Sequence, residues 1–372
     1  LKPVRPLILI FPEGSWSELL PETACACSGR EARDYELMLR RRIYYQEHFS
    51  DDTVIEDTIV VPKAVASTGW GVEPKKQPST TERGSWGFVP VINAPEDLHK
   101  LRFPEISVDD RESSRRLETA LDFFDGILNV RQEGVSRISF HLMNFYTRIR
   151  GLEQVMLDMY ENPGMLHEAM SILEEGHRRL LRQYEMLELL ELNNNNTYHA
   201  SGGNGWTDEL PAKDFSGKVR PCDMWASAEA QEMAQVSPEM HEEFVTSYEK
   251  RLLEPFGLTG YGCCEDLTRK LDNVLRIPRI RRISISPWAD VEACARKLKG
   301  DYIFSWKPHP SHLCGDFNPE AIRRYIRRTV DVCAANGCVL EIILKDTHTC
   351  ESRPERFDEW SRIARSMVGG AV

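Results

Sequence analysis

Residues 257–266 read Gly-Leu-Thr-Gly-Tyr-Gly-Cys-Cys-Glu-Asp, a short apolar run that stops at two adjacent cysteines and two acids. A run of this length bounded by turn residues reads as a buried strand. Polar, ligand-capable residues at its last positions resemble the C-terminal end of a barrel strand, where (β/α)8 enzymes keep their sites. Working outward, residues from about 116 onward alternate strand and helix with little padding. The reading places helices at Ser113–Asn129, from Pro163 to about Leu190, from Pro238 to about Glu254, at Leu267–Leu275, Asp290–Lys299 and Pro319–Ala335, and from about Pro354. Between them lie strands at Val135–His141, Leu190–Asn196, up to Tyr261, Ile280–Ser286, Tyr302–Trp306 and Val339–Leu344. Ser237-Pro238-Glu239 and Asn318-Pro319 are helix starts, a capping side chain followed by proline at the first helical position. Such alternation predicts βαβ units and a parallel sheet.

Six of the predicted strands end in polar residues: His141/Asn144, Asn193 to His199, Cys263 to Asp266, Ser284/Ser286/Asp290, Lys307/His309, and Asp346/His348/Cys350. A doubly wound sheet would gather them mainly at one switch point. Their spread over many strand ends favours an α/β fold of the closed (β/α)8 TIM-type barrel, with residues 116–372 as its main part. Residues 1–115 are rich in Pro, Trp and charge, and read as an N-terminal elaboration with a strand at Leu7–Phe11, a helix at Arg30–His48 and a strand at Val54–Pro62.

A chain of 372 residues, 41% of them apolar, can fill a sizeable core. Its net charge of −11 and the lack of a long basic run argue against a nucleic-acid surface. The longest early apolar run, Leu7 to Phe11, is too short for a signal segment or a membrane span, so a cytoplasmic protein is expected. Leu1 in place of Met suggests a trimmed start. The ten cysteines are then read as reduced thiols rather than as a disulfide framework.

Thiolates and imidazoles suit zinc, and a catalytic zinc takes three protein ligands with a fourth position open. Cys263, Cys264 and Glu265 at one strand end, with His348 and Cys350 at another, form a candidate set; two core thiols and a surface one is the plain alternative. Adjacent residues of a strand face opposite ways, so one of Cys263 and Cys264 is expected to bind and the other to pack. Glu229 reads either as an acid or further ligand or as part of a solvated helix, and Trp225 as a stacking wall. Lys307 and His309, stiffened by Pro308 and Pro310, either orient an anionic substrate and assist proton transfer or form a surface loop. Asp346 joins them as a candidate catalytic group. Asn196, His199, Tyr261 and Trp306 are candidate substrate contacts, as are Asn144 and His141, the latter also readable as a buried structural histidine. The run Asn193 to Asn196 is either a turn or the lining of a polar pocket. Neither a phosphate loop nor a nucleophile elbow is present.

With these residues in view, the chain resembles the uroporphyrinogen decarboxylase superfamily, and within it the zinc-dependent, corrinoid-linked methyltransferase branch. The similarity covers roughly residues 130 to 370: the strand and helix order, the helix entry Ser237-Pro238-Glu239-Met240 through Tyr248, the strand end Gly260 to Glu265, and the segment Asp346 to Cys350. Tyr261-Gly262-Cys263 stands where that branch has His-x-Cys, and Cys350 matches its late cysteine. The departure at Tyr261 means that a zinc set would recruit Cys264, Glu229, Glu265 or His348. No paired-arginine, glutamine-containing loop of the porphyrinogen decarboxylases is found in residues 1–60. The resemblance implies methyl transfer from a small O-methyl donor, preferably an aryl methyl ether, to a corrinoid carried by a partner protein. Metal-independent decarboxylation of a carboxylated small molecule or porphyrinogen, through Lys307, His309 and Asp346, is the second expectation, and a non-catalytic ligand-binding barrel the third. The assembly state stays open, a homodimer included.

Overall fold

The computed structural model describes residues 4–78 and 87–369. In chain order its principal elements are β1 (Leu7–Ile10), α1 (Arg30–His48), β2 (Ser139–Phe140), α2 (Leu142–Arg150), α3 (Leu152–Glu161), α4 (Pro163–Met186), β3 (Trp225–Ala228), α5 (residues 238–253), β4 (Leu258–Tyr261), β5 (Ile280–Ile285), α6 (Val291–Leu298), β6 (Ile303–Trp306), α7 (Pro319–Ala335), β7 (Val339–Leu344) and α8 (Glu355–Val368). The fold is mixed α/β, and the seven strands are parallel, as the alternation predicts. Two compact units divide the chain: residues 1–56, 201–203 and 281–372 form one, residues 57–200 and 204–280 the other.

In the first unit the strands run β1-β7-β6-β5. Leu7 is opposite Glu341, Ile303 opposite Val339, and Arg282 opposite Ile303. One face is apolar throughout: Ile8, Ile10, Ile283, Ile285, Phe304, Trp306, Ile342 and Leu344 are all fully buried. These β-branched and aromatic residues suit a pleated surface packed on helices. The cap read at Asn318 is present, its side chain accepting from Ala321 N–H, and Asp290 caps α6 in the same way from Ala293 N–H. The opposite face is also buried and mixes Leu9 and Ile343 with Arg282, Ser284, Ser305 and Glu341.

Asp51 carries a pH dependence in this unit. Its carboxylate accepts from Thr53 Oγ1 (2.7 Å) and from the N–H groups of Ile10 (3.1 Å) and Thr53 (3.2 Å). Burial nevertheless raises its pKa to about 6. The native state therefore keeps a proton that the unfolded chain has already lost, and stability falls as pH rises from about 4 to about 6. The term amounts to about 3 kcal/mol at most. Urea unfolding at intervals across that range should show the gap between the wild type and Asp51→Asn narrowing with rising pH; a constant gap contradicts the assignment.

In the second unit the strands run β4-β3-β2, with Trp225 opposite Leu258 and Ser227 opposite Ser139. A separate parallel pair joins Thr58–Pro62 to Asn129–Glu133, and two antiparallel pairs join Val65–Ser67 to Ile106–Val108 and Lys75–Gln77 to Gly87–Val89. Helix α4 buries Met165, Leu166, Ala169, Met170 and Leu173 along one stripe.

Several elements depart from expectation: of the strand expected at Val135–His141 only Ser139–Phe140 is a strand, and the helix expected at Ser113–Asn129 runs Asp110–Phe124. The strand expected at Leu190–Asn196 is a single bridge between Val135 and Leu190. Carboxamides take over beyond it: Asn193 Nδ2 donates to Ser136 O (2.8 Å) and Trp225 O (2.9 Å), and its Oδ1 accepts from Trp225 N–H (2.8 Å). One side chain thus supplies the hydrogen bonds that a strand backbone would have made. The helix expected at Leu267–Leu275 shortens to Leu271–Val274, because the Asp266 carboxylate turns the chain by accepting from Thr268 N–H and Thr268 Oγ1.

Candidate functional site

In the second unit, β4 ends at Tyr261, and Gly262 follows with φ +95°, in the left-handed region that favours glycine. The chain leaves the strand there, so strand alternation no longer governs the next two side chains. Cys263 Sγ and Cys264 Sγ lie 3.5 Å apart and both residues are half-buried. Strand alternation, the ground for expecting one of the pair to bind and the other to pack, therefore does not apply at this turn. Two thiolates on one tetrahedral zinc lie roughly 3.8 Å apart, given Zn–S bonds of about 2.3 Å. The pair therefore fits two positions of a soft-metal site. Among the described residues no group of three His, Cys, Asp and Glu side chains is arranged to hold a metal ion.

Acids surround this turn. Glu265 is buried; its Oε2 accepts from Cys263 N–H (2.8 Å) and its Oε1 from Ala230 N–H (3.3 Å). Burial, reinforced by the charge of Glu229, pushes its pKa up to about 7. Glu229 follows the end of β3 and accepts from Gln231 N–H (3.0 Å), while its other oxygen meets His141 Nδ1 in a short contact. His141 precedes α2 with 40% of its side chain exposed against 7% for Glu229, so the imidazole is reachable and its partner is not. One turn further along α2, Asn144 donates to Glu232, whose pKa burial and then Glu229 raise. His141 and Asn144 are thus held by two acids of the loop after β3, rather than buried among apolar groups. The imidazole of His177 is half-buried, and desolvation lowers its pKa to about 4, helped by His141.

Tyr261 is fully buried. Its hydroxyl donates to Glu249 Oε2 (2.8 Å) and lies 3.3 Å from His241 Nε2, while Thr246 Oγ1 lies 2.9 Å from His241 Nδ1. Residues 242–246 form a π-helical turn of α5, which re-aims these side chains. Complete burial raises the pKa of Glu249 well above the carboxylate range, and desolvation lowers that of His241 to about 3. The pair is held neutral. Glu249 lies in the helical register of Val245 and Leu252, a buried apolar stripe, which is the sequence signal that could have identified it. Lys270 has no such signal; it donates to Met233 O (2.6 Å) and Ala234 O (3.0 Å), and burial lowers its pKa to about 8.

The remaining candidates of this unit pack inward. Trp225 is 2% exposed, donates through Nε1 to Gly205 O (2.8 Å), and meets the His199 ring at a tilt of 46° with ring centres 4.5 Å apart. Asn196 Oδ1 accepts from Asn204 Nδ2 (2.8 Å).

In the first unit, Cys350 is buried and its thiol donates to Glu18 Oε2 (3.2 Å). Burial and this hydrogen bond push its pKa up to about 11. Burial also opposes ionisation of Glu18, but hydrogen bonds from Thr349, Ser352 and Cys350 hold its pKa at about 2. Cys350 is thus a protonated donor to an ionised acid. Gly14 leaves room for the backbone at His348, whose Cα would lie 3.1 Å from an added Cβ. Lys307 is 4% exposed and donates through Nζ to Ser305 Oγ (2.7 Å) and Ser305 O (3.0 Å). His309 Nδ1 accepts from Ser311 Oγ (2.7 Å), and its ring meets Trp288 edge-on at 4.8 Å. Trp306 is fully buried against Tyr325, and Asp346 accepts from Lys345 Nζ (3.0 Å).

No protein-family model matches the chain, and no curated protein matches it in sequence. Among solved structures, a methyltransferase from Methanosarcina mazei is similar at a TM-score of 0.49 and 10% identity, over 89% of this chain and 85% of that chain. Likeness at that level carries nothing about activity. No helix of the described residues is long and apolar enough to cross a membrane.

Proposed function

We propose that this chain is a methyltransferase on a (β/α)8 barrel, with residues 1–115 as its N-terminal elaboration. It moves a methyl group from a small O-methyl donor, preferably an aryl methyl ether, to a corrinoid carried by a partner protein. The observation that carries this reading is the thiol pair Cys263/Cys264, 3.5 Å apart at the end of β4 and ringed by acids of its own unit. Its support from sequence is the resemblance of residues 130–370 to the corrinoid-linked branch. Zinc would be held by these two thiolates and, when bound, would polarise the donor oxygen as a Lewis acid. As the carbon–oxygen bond breaks, the departing oxygen needs a proton. Glu229 fixes the His141 ring through Nδ1, and Nε2 of that ring is the atom assigned to deliver it. Asn144, tied to Glu232, shares the same helix turn and orients the donor.

Incubation with aryl methyl ethers and a reduced corrinoid protein should release the phenol, and the activity should fall on chelation. No release from any ether or methylamine sinks the reading. A second reading, metal-independent decarboxylation through Lys307, His309 and Asp346, draws support from the buried Lys307 ammonium. Turnover that survives both chelation and loss of the two thiols selects it.

A further inference from the structure

Helix α7 carries a cysteine in its last turn, and the chain that leaves it brings back a second. Cys333 is that last-turn residue, Asn336 closes the helix, Gly337 follows with φ +66°, and Cys338 directly precedes β7. Cys338 N–H donates to Cys333 O (2.9 Å), and Gly337 N–H donates to Ala334 O (3.1 Å). These two bonds make a Schellman motif, whose first and last side chains meet in a contact that is ordinarily apolar. Here both side chains are thiols, and they are hydrogen-bonded to each other.

Packing alone does not account for the pair. Cys333 is 1% exposed, but Cys338 is only half-buried, and both line a cavity of about 350 Å3 with Val330, Leu340, Met367 and Arg327. All six residues belong to the first unit. A small solute in that cavity therefore meets Cys338 as the outer thiol and Cys333 behind it. As a neutral thiol Cys338 donates to Ala295 O (3.5 Å). The Cys333 thiol, donating to Cys338, holds the Cys338 pKa below the ordinary thiol value against the effect of burial, and Lys299 N–H assists. The same hydrogen bond, with burial, pushes the Cys333 pKa up. Cys338 is thus the first to ionise, and the thiolate is the nucleophile in disulfide exchange. A third thiol, Cys294 on α6, is fully buried and close enough to Cys333 to raise its pKa further.

We propose that Cys333 and Cys338 form a reversible dithiol/disulfide site that exchanges with low-molecular-weight disulfides such as oxidised glutathione. The Cys338 thiolate attacks one sulfur of the incoming disulfide, whose S–S bond breaks as one thiolate leaves. Cys333 then gives up its proton and attacks Cys338 Sγ, forming the Cys333–Cys338 bond and releasing the second thiol. One small disulfide is reduced to two thiols, and the protein pair is oxidised by two electrons. A disulfide needs neighbouring backbones with their Cβ atoms turned together. The Schellman turn supplies both, so closure asks little of α7 or β7. In a reducing compartment the pair rests as thiols and closes when small disulfides accumulate. The site goes beyond the methyltransferase reading and stands without it.

The test equilibrates the full chain with reduced and oxidised glutathione over a range of ratios, then applies acid quenching, alkylation and peptide mass spectrometry. The Cys333–Cys338 bond should form as oxidised glutathione rises and should reverse with dithiothreitol. Cys333→Ala should leave glutathione trapped on Cys338, because the resolving thiol is gone. Cys338→Ala should capture glutathione at Cys333 about tenfold more slowly or less, since that thiol is 1% exposed. Three results overturn the site: both thiols found alkylated at the most oxidising ratio, a bond from Cys333 to Cys294 instead, or capture at Cys333 in Cys338→Ala as fast as at Cys338 in Cys333→Ala. If either alanine variant fails to fold, the bond found in the wild type decides.

Discussion

Replacing Cys263 and Cys264 together by serine is expected to remove bound zinc and to lower methyl transfer by a factor on the order of a hundred to ten thousand. The size follows from the several kcal/mol that a Lewis acid contributes at a developing negative charge, each tenfold in rate being about 1.4 kcal/mol. Each single serine variant should do nearly as much, because the sulfurs are 3.5 Å apart and both belong to the proposed ligand pair. A strand-like arrangement makes the opposite forecast, one critical cysteine and one silent one. Serine keeps the size of the side chain and both residues are only half-buried, so stability should move by less than about 1 kcal/mol. Metal content by emission spectroscopy, read beside the melting temperature, separates loss of ligand from loss of fold. Stoichiometric zinc in the double variant would falsify the ligand assignment.

What the sequence made legible was the run of elements, and the reason is local. Helix α1 and helix α7 match the expected spans Arg30–His48 and Pro319–Ala335, and β7 matches Val339–Leu344. In the C-terminal elements a capping Asn or a β-branched run marks the boundary without help from tertiary contacts. Where a boundary depends on side chains reaching across the fold, it was not legible. Asn193 bonds to Ser136 and Trp225, partners 57 and 32 residues away, and no window around Leu190 contains them.

The candidate site follows the same division. Residue types mark the end of β4, because an apolar run that stops at Cys-Cys-Glu is visible in ten letters. The direction of each side chain was not, since it hangs on the φ of Gly262. Tyr261 shows the limit most plainly. Read as a substitute for a histidine ligand, it invites a substrate role. The structure buries its hydroxyl between Glu249 and His241, which lie 12 and 20 residues earlier in the chain. Glu232 and His177 were missed for a related reason: their partners Asn144 and His141 lie on α2 and just before it, and only the folded β2–β3 neighbourhood joins them.

The second large effect concerns what keeps α2 in place. Arg150, at the last turn of that helix, pairs with Asp158 through Nε (2.7 Å) and Nη2 (2.8 Å), and its Nη1 donates to Asn93 O (2.7 Å) and Ile92 O (3.2 Å). Arg150 is 6% exposed and Asp158 is fully buried. Truncating either partner leaves an uncompensated buried charge, at a cost of about 3–5 kcal/mol. Arg150→Ala and Asp158→Ala should each lower the urea midpoint accordingly, while the double variant Arg150→Met/Asp158→Leu should lose less than either, since it removes both charges and keeps the volume. The consequence reaches the site because α2 begins directly after His141. The helix is nine residues long, pinned at one end by the Arg150 pair and at the other by His141 on Glu229. Loosening the far end frees the near end, so Arg150→Ala should cost methyl transfer even at temperatures where the variant remains folded, and the Met/Leu pair should restore it. If the single variant stays fully active while folded, Glu229 alone positions the imidazole and the ion pair serves stability only.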